Sequence, residues 1–244
     1  MKYDFEKMAT DELNMLCDKL LIGADGVEKN VTEAAAVAKI AADRGDAKAL
    51  CNYGSFLMDG NGVEKDETAA LTYWRRSADM DFGPALNKVG LCLLFGLCGV
   101  EKSPAEAVPY FERAAGQGVS ESMFHLAMMY ENGVGVGKDS ASSEKYLVMA
   151  GENKFPMACF MLALKKYAVK NGTGNETEEG TALLLTAAEG GIQNAQIMYG
   201  MCLENGIGVE KDLSEAAGWY RRAAKAGNTQ ANDALKRLGF PGVM

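Results

Sequence analysis

The side chains able to do chemistry in this 244-residue chain are few and scattered. Ser142 has Lys145 three positions on, the spacing at which a lysine amine can take a serine hydroxyl proton for acyl transfer. Neither Ser-Asp-Asn nor Lys-Thr-Gly accompanies the pair, so two solvated residues in the first turns of a helix are the plainer account. Glu131–Ser140, ENGVGVGKDS, has the glycines and lysine of a phosphate cradle. A P-loop needs a further glycine ahead of its Gly-Lys pair and a Ser or Thr directly after it. Those places hold Asn132 and Asp139, and a carboxylate beside phosphate is repulsive. NGIGVEKD, Asn205–Asp212, lacks the third glycine of a dinucleotide fingerprint. The single histidine, His125, has no Ser or Cys with an orienting third group to work with.

Cys17, Cys51, Cys92, Cys98, Cys159 and Cys202 form no CxxC pair and have no histidine partner. They read as reduced, buried thiols, and the ligand set of a zinc site is missing. No catalytic residue, cofactor or metal is therefore expected. The acceptor sequons at Asn30, Asn171 and Asn175 would matter only in a secreted chain. Asn30 and Asn175 read instead as helix caps.

With 48% hydrophobic and 24% charged residues the chain can bury a sizeable core. A formal charge of −8 excludes nucleic acid as the main partner, since that needs a basic stripe. The longest apolar stretch, VGLCLLFGLCGV, is interrupted by glycine and falls short of the roughly 18 apolar residues of a membrane span. The acidic opening, MKYDFEKMATDEL, has no apolar central segment. A cytoplasmic location is expected from these two features.

What must position any functional residue is a repeat. GVEKD occurs at Gly62–Asp66 and at Gly208–Asp212, each time followed by an aromatic pair and an Arg pair. The Gly-Val turns at Gly26, Gly62, Gly99, Gly135 and Gly208 step by 36, 37, 36 and 73. Cap residues Asn30, Asp66, Ser103, Asp139, Asn175 and Asp212 keep the same period. So do the small residues Ala49, Ala85, Ser122, Ala158, Ala195 and Ala231, which are expected to open the first helix of each unit. Capping boxes are expected at Asn30/Glu33, Ser103/Glu106, Asn175/Glu178 and Asp212/Glu215. Gly45, Gly118, Gly190 and Gly227 read as helix C-caps. A Gly or Ala beside the middle of each first helix, as at Gly54, Gly90 and Gly200, lets the two helices of a hairpin approach closely.

A lone hairpin cannot bury its apolar face, so the hairpins must stack. The expectation is an all-α protein: one domain over residues 1–244, a right-handed α-solenoid of about six helix-turn-helix repeats of 36–37 residues. The units fall at about 13–48, 49–84, 85–121, 122–157, 158–194 and 195–230, with a C-terminal capping helix at 231–239. Residues 1–11 would cover the other end. Trp74 and Trp219 read as inter-repeat packing.

These residues resemble the Sel-one-like repeat family, relatives of the tetratricopeptide repeat. The sixth unit matches best, with Ala195, Tyr199, Gly200, Leu203, Gly206, Gly208, Val209, Asp212, Trp219, Tyr220, Ala223, Ala224 and Gly227 on the pattern. The fifth lacks the Gly-Val turn and has Ala182-Leu183 in place of the aromatic pair. The resemblance covers about nine-tenths of the chain, and the family it points to supplies adaptors in complexes, signalling and bacterial envelope or host interactions.

If the first helices line a concave surface, as in tetratricopeptide-type solenoids, one stripe along them runs through Leu91, Leu94, Phe124, Met128, Glu131, Phe160, Leu164, Tyr167, Ile197, Met201 and Glu204. Earlier units contribute Met15, Lys19, Cys51, Ser55, Met58 and Asn87 to it. Such a stripe suits an apolar or helical peptide from another protein. Glu131 and Glu204 at its end would favour basic flanks on that peptide. The reading is a non-catalytic scaffold or adaptor. A single-partner immunity or chaperone-like protein is the alternative, and an enzyme of the penicillin-binding type is a more distant one.

Overall fold

The computed structural model describes residues 4–168 and 174–242, with the side chains of 174–176 outside that description. The sequon at Asn171 lies outside the described residues. The chain divides into two compact units, Met1–Ser122 with Asn132–Lys138, and Met123–Glu131 with Asp139–Met244. The described residues form thirteen helices and no strand. In order they pair as α1 (Thr10–Ile22) with α2 (Val31–Asp43), α3 (Ala47–Asp59) with α4 (Glu67–Asp79), and α5 (Gly83–Phe95) with α6 (Pro104–Gly116). They continue as α7 (Ser120–Asn132) with α8 (Ser140–Glu152), α9 (Pro156–Ala168) with α10 (Gly174–Glu189), and α11 (Gln193–Asn205) with α12 (Leu213–Lys225). The short α13 (Thr229–Arg237) follows. Within their units, α1 to α6 pack in succession, as do α8 to α13. The chain is an all-α tandem repeat of the solenoid class.

Each first helix of a hairpin has 13 residues and starts two positions before the Ala/Ser column expected to open it. That column is the third residue of the helix, and all of Ala49, Ala85, Ser122, Ala158, Ala195 and Ala231 are fully buried. Small size is demanded there by packing and not by helix initiation. At α3 and α13 a side chain caps the start, Asp46 accepting from the Ala49 N–H at 2.7 Å and Asn228 from the Ala231 N–H at 3.1 Å, whereas α5 and α11 begin after Phe82 and Ile192 with no side-chain cap.

The second helices carry the caps expected of them at Asn30, Asp66, Asp139 and Asp212. Ser103 differs, because its hydroxyl donates to Glu106 at 2.8 Å and accepts from no helix N–H. Asn175 also differs: α10 begins at Gly174, so Asn175 lies within the helix and not ahead of it. In the fifth hairpin α10 has 16 residues against 13 in the other second helices.

A left-handed residue precedes every first helix from α3 onward: Gly45, Asp81, Gly118, Lys154, Gly191 and Gly227, with φ between +56° and +91°. Gly191, and not Gly190, holds this place in the fifth unit, which restores the 36–37 spacing of the column. Asp81 and Lys154 adopt a conformation that costs a residue with Cβ roughly 1–2 kcal/mol.

The hairpins close by matched sizes. A Cβ on Gly54 would lie 2.6 Å from the Trp74 ring, on Gly90 2.8 Å from Phe111, and on Gly200 2.8 Å from Tyr220. Where the repeat has Ala127 or Ala163 in place of glycine, the opposing column holds Leu147 or Leu184. All five large side chains are buried. Both tryptophans make contacts inside their own hairpins. Trp74 packs on Gly54 and donates to the Cys51 carbonyl at 3.1 Å. Trp219 sits edge-on to Tyr199 at 5.5 Å, in a different column from Trp74.

Successive repeats meet at the turns: a Cβ on Gly62 would come 2.6 Å from the Val31 carbonyl, and one on Gly135 2.5 Å from Pro104. Gly135 of ENGVGVGKDS therefore serves packing on the preceding repeat. At the N-terminal end, the Arg44 guanidinium ties down residues 5–8 by donating to the carbonyls of Phe5, Glu6 and Met8.

Candidate protein-binding face

A first helix presents to solvent its second, sixth, ninth and thirteenth residues, spaced four, three and four apart on one side of the helix. The stripe expected from sequence ran through the fifth, ninth and twelfth, so only its central column coincides with this face. The fifth column turns toward the next repeat. Asn14 reaches Asp46 at 2.9 Å, Asn87 bonds Glu121 and Ser122 at 2.7 Å each, and the Phe124 ring lies 5.1 Å from Phe155. These side chains fill the seam between successive first helices, which explains why Asn14, Cys51 and Asn87 are buried.

In the first unit Leu91 is half-buried and Leu94 is buried, so Leu94 belongs to the core. Exposed large apolar groups there are Met15, Ile22, Met80, Phe95, Leu97 and Val134. A cleft of mixed character, about 240 Å³, lies among Asp18, Leu21, Asn52, Ser55, Phe56, Asp59 and Asn61.

The second unit holds the apolar face. Leu164 and Met201, 41% and 49% exposed, stand out from α9 and α11. Phe124, Met128, Phe160, Tyr167 and Ile197 are half-buried beside them, and Glu131 is exposed. Tyr167, Met198, Met201, Cys202 and Ile207 line an open, almost wholly apolar pocket of about 210 Å³. On the other side of Met201, a pocket of about 320 Å³ is lined by Ile197, Tyr220, Ala234, Asp233 and Arg237 among others.

Tyr167 is fixed by its hydroxyl, 2.6 Å from Thr181 Oγ1, and Thr181 in turn donates to the Ile207 carbonyl at 3.0 Å. Burial and the Cys202 thiol push the Tyr167 pKa up, so the hydroxyl stays protonated. Met161, Met198 and Ile207 were missed by the sequence reading. Both methionines are the sixth residue of their helices, one position past the fifth column that the stripe used.

Of the two acidic residues of the stripe, Glu131 is exposed and Glu204 is engaged within the chain. Glu204 accepts from the Tyr220 hydroxyl at 2.8 Å and from Arg237, whose Nη2 lies at 2.9 Å. Arg237, with the tyrosine hydroxyl, holds the Glu204 carboxyl below its usual range. Its charge is neutralised within the chain.

The catalytic decoys stay apart. Ser142 donates to the cap carboxylate Asp139 at 2.6 Å, while the Lys145 ammonium lies over the Tyr146 ring at 5.6 Å. His125 sits half-buried against the edge of Phe124. Among the described residues no group of three or more His, Cys, Asp or Glu could hold a metal ion, and no single helix is long and apolar enough to cross a membrane.

Six consecutive matches to the Sel1 repeat model cover residues 13–46, 47–82, 83–119, 120–155, 156–191 and 193–228. The chain belongs to the Sel1 repeat family. Each matched Sel1 repeat from the second to the fifth begins with the first residue of α3, α5, α7 or α9, and the sixth with that of α11.

The chain is similar to chitin synthase regulatory factor 2 of Schizosaccharomyces pombe, 31% identical over 74% of this chain and 37% of that one. It is also similar to the DAP3-binding cell death enhancer 1 of Rattus norvegicus, 28% identical over 75% of this chain and 36% of that one. The Sel1 repeats thus span little more than a third of these curated relatives. A Sel1 repeat protein from Oxalobacter formigenes has the same fold, with a TM-score of 0.80 and 27% identity over 96% of this chain and 67% of that one. Among these relatives the names state regulation or binding.

Proposed function

We propose that this chain is a non-catalytic protein-interaction module that holds an apolar or helical peptide of a partner on the first-helix face of its second unit. The observation that carries the reading is Met201, half exposed on a ridge between two adjoining pockets. Exposed apolar surface of this kind is costly to leave in water unless something covers it. Each large apolar side chain seated there would contribute roughly 1.5–3 kcal/mol. Methionines at Met161, Met198 and Met201 can re-pack around different partner side chains, which suits a regulator with degenerate recognition. Names given to relatives, regulatory factors and a DAP3-binding factor, support the same reading.

The test is selection from a displayed library of random peptides. Retained peptides should carry apolar residues three and four apart, and Leu164→Glu with Met201→Glu should weaken them at least about tenfold with helical circular dichroism unchanged. Both positions are exposed, so the double variant folds. Peptides bound equally well by the double variant would place the site elsewhere.

A further inference from the structure

Where α5 ends, in the first unit, one sulfur atom stands in contact with two others. Cys92 Sγ lies 3.6 Å from Cys98 Sγ, and Cys98 Sγ lies 3.8 Å from the Met58 thioether. Cys92 stands in the last turn of α5. Cys98 follows in the turn after Gly96, held by a left-handed backbone with φ +57°, and Met58 comes from the end of α3. Both thiols are buried.

Metal–sulfur bonds of about 2.3 Å arranged trigonally put the sulfurs about 4 Å apart. The two spacings seen here would open by only a few tenths of an ångström around a central ion. Zinc calls for four ligands drawn from Cys, His, Asp and Glu, and no third such group joins this pair among the described residues. Two thiolates and a thioether are the soft set that selects monovalent copper.

We propose that Cys92, Cys98 and Met58 form a buried trigonal site for one copper(I) ion. Binding forms two copper–thiolate bonds and one copper–thioether bond, and the two thiol protons leave to solvent; no electron is transferred. The bound site carries one net negative charge. Arg75 and Lys88 lie near Cys92, and Lys65 lies near Cys98, where they offset that charge against the opposing Glu67.

The experiment is an anaerobic titration of the reduced full chain with copper(I) against a chromophoric copper(I) chelator. One ion per chain is expected, with an ultraviolet thiolate-to-copper band. Cys98→Asn keeps a residue that tolerates the left-handed backbone and should lower affinity at least about 100-fold. Met58→Leu should lower it about tenfold, while Cys159→Ser should leave it unchanged. Equal binding by Cys98→Asn and wild type, or no uptake by the reduced chain, would overturn the site. A Cys92–Cys98 disulfide that forms in air while the reduced chain ignores copper would assign the pair to redox chemistry and overturn it equally.

Discussion

At the scale of single residues, the repeat is held shut by reciprocal sizes. Gly90 faces the Phe111 ring at a distance that leaves no room for a Cβ, whereas the equivalent column two repeats on pairs Ala163 with Leu184. Gly90→Ala should therefore destabilise by about 1–3 kcal/mol. Adding Phe111→Leu should recover part of that loss, since the double variant reproduces the Ala–Leu pairing. Chemical denaturation of the four proteins of the cycle gives the coupling directly, and strict additivity would remove the size-matching account. Glu204 supplies a pH dependence. Arg237 and the Tyr220 hydroxyl depress its folded pKa, so its contribution is present above the ordinary carboxylate value of about 4.3. That contribution disappears as pH falls through that value toward the folded one. Glu204→Gln should accordingly show a shallower loss of stability between about pH 5 and pH 3 than wild type.

At the scale of elements, the turns before the first helices decide where those helices begin. Gly45, Gly118, Gly191 and Gly227 take the left-handed place without strain, but Lys154 and Asp81 do so with a Cβ. Lys154→Gly should stabilise the chain by about 0.5–1 kcal/mol, read as a raised melting temperature. Asp81→Gly should gain much less, because its carboxylate accepts from the Arg113 guanidinium at 2.7 and 3.0 Å. An equal gain at both positions would show that the ion pair contributes nothing.

At the scale of the whole chain, repeats are stabilised by their neighbours, so the last one depends on what covers it. In the second unit α13 does this with Ala231 and Leu235, both fully buried, and with Arg237 on Glu204. Leu235→Ala should cost about 2–5 kcal/mol. Hydrogen exchange should show α11–α13 losing protection while α9 and α10 keep theirs; uniform loss across the unit would mean that it opens only as a whole. Binding should be read at this scale too, since residues of α9 and α11 and the loop at Ile207 make one apolar face. Neither helix alone presents it.

Local chemistry was legible because it depends on neighbours in sequence. The 36–37 residue period, the cap residues Asn30, Asp66, Asp139 and Asp212, and the small residues opposite large ones are all statements about spacing, and spacing is what a helix obeys. From them follow the all-α class, six hairpins and the family. What spacing could not set was the rotation of each first helix against its neighbours. Packing turns Leu94, the twelfth residue of α5, into the core and leaves Met161 and Met198, the sixth residues of α9 and α11, on the face. Nor could it show that Glu204 is spent on Arg237, 33 residues away, or that Met58 meets Cys98 across 40. Contacts between repeats depend on which side chains fill the seams, and only the packed structure decides that.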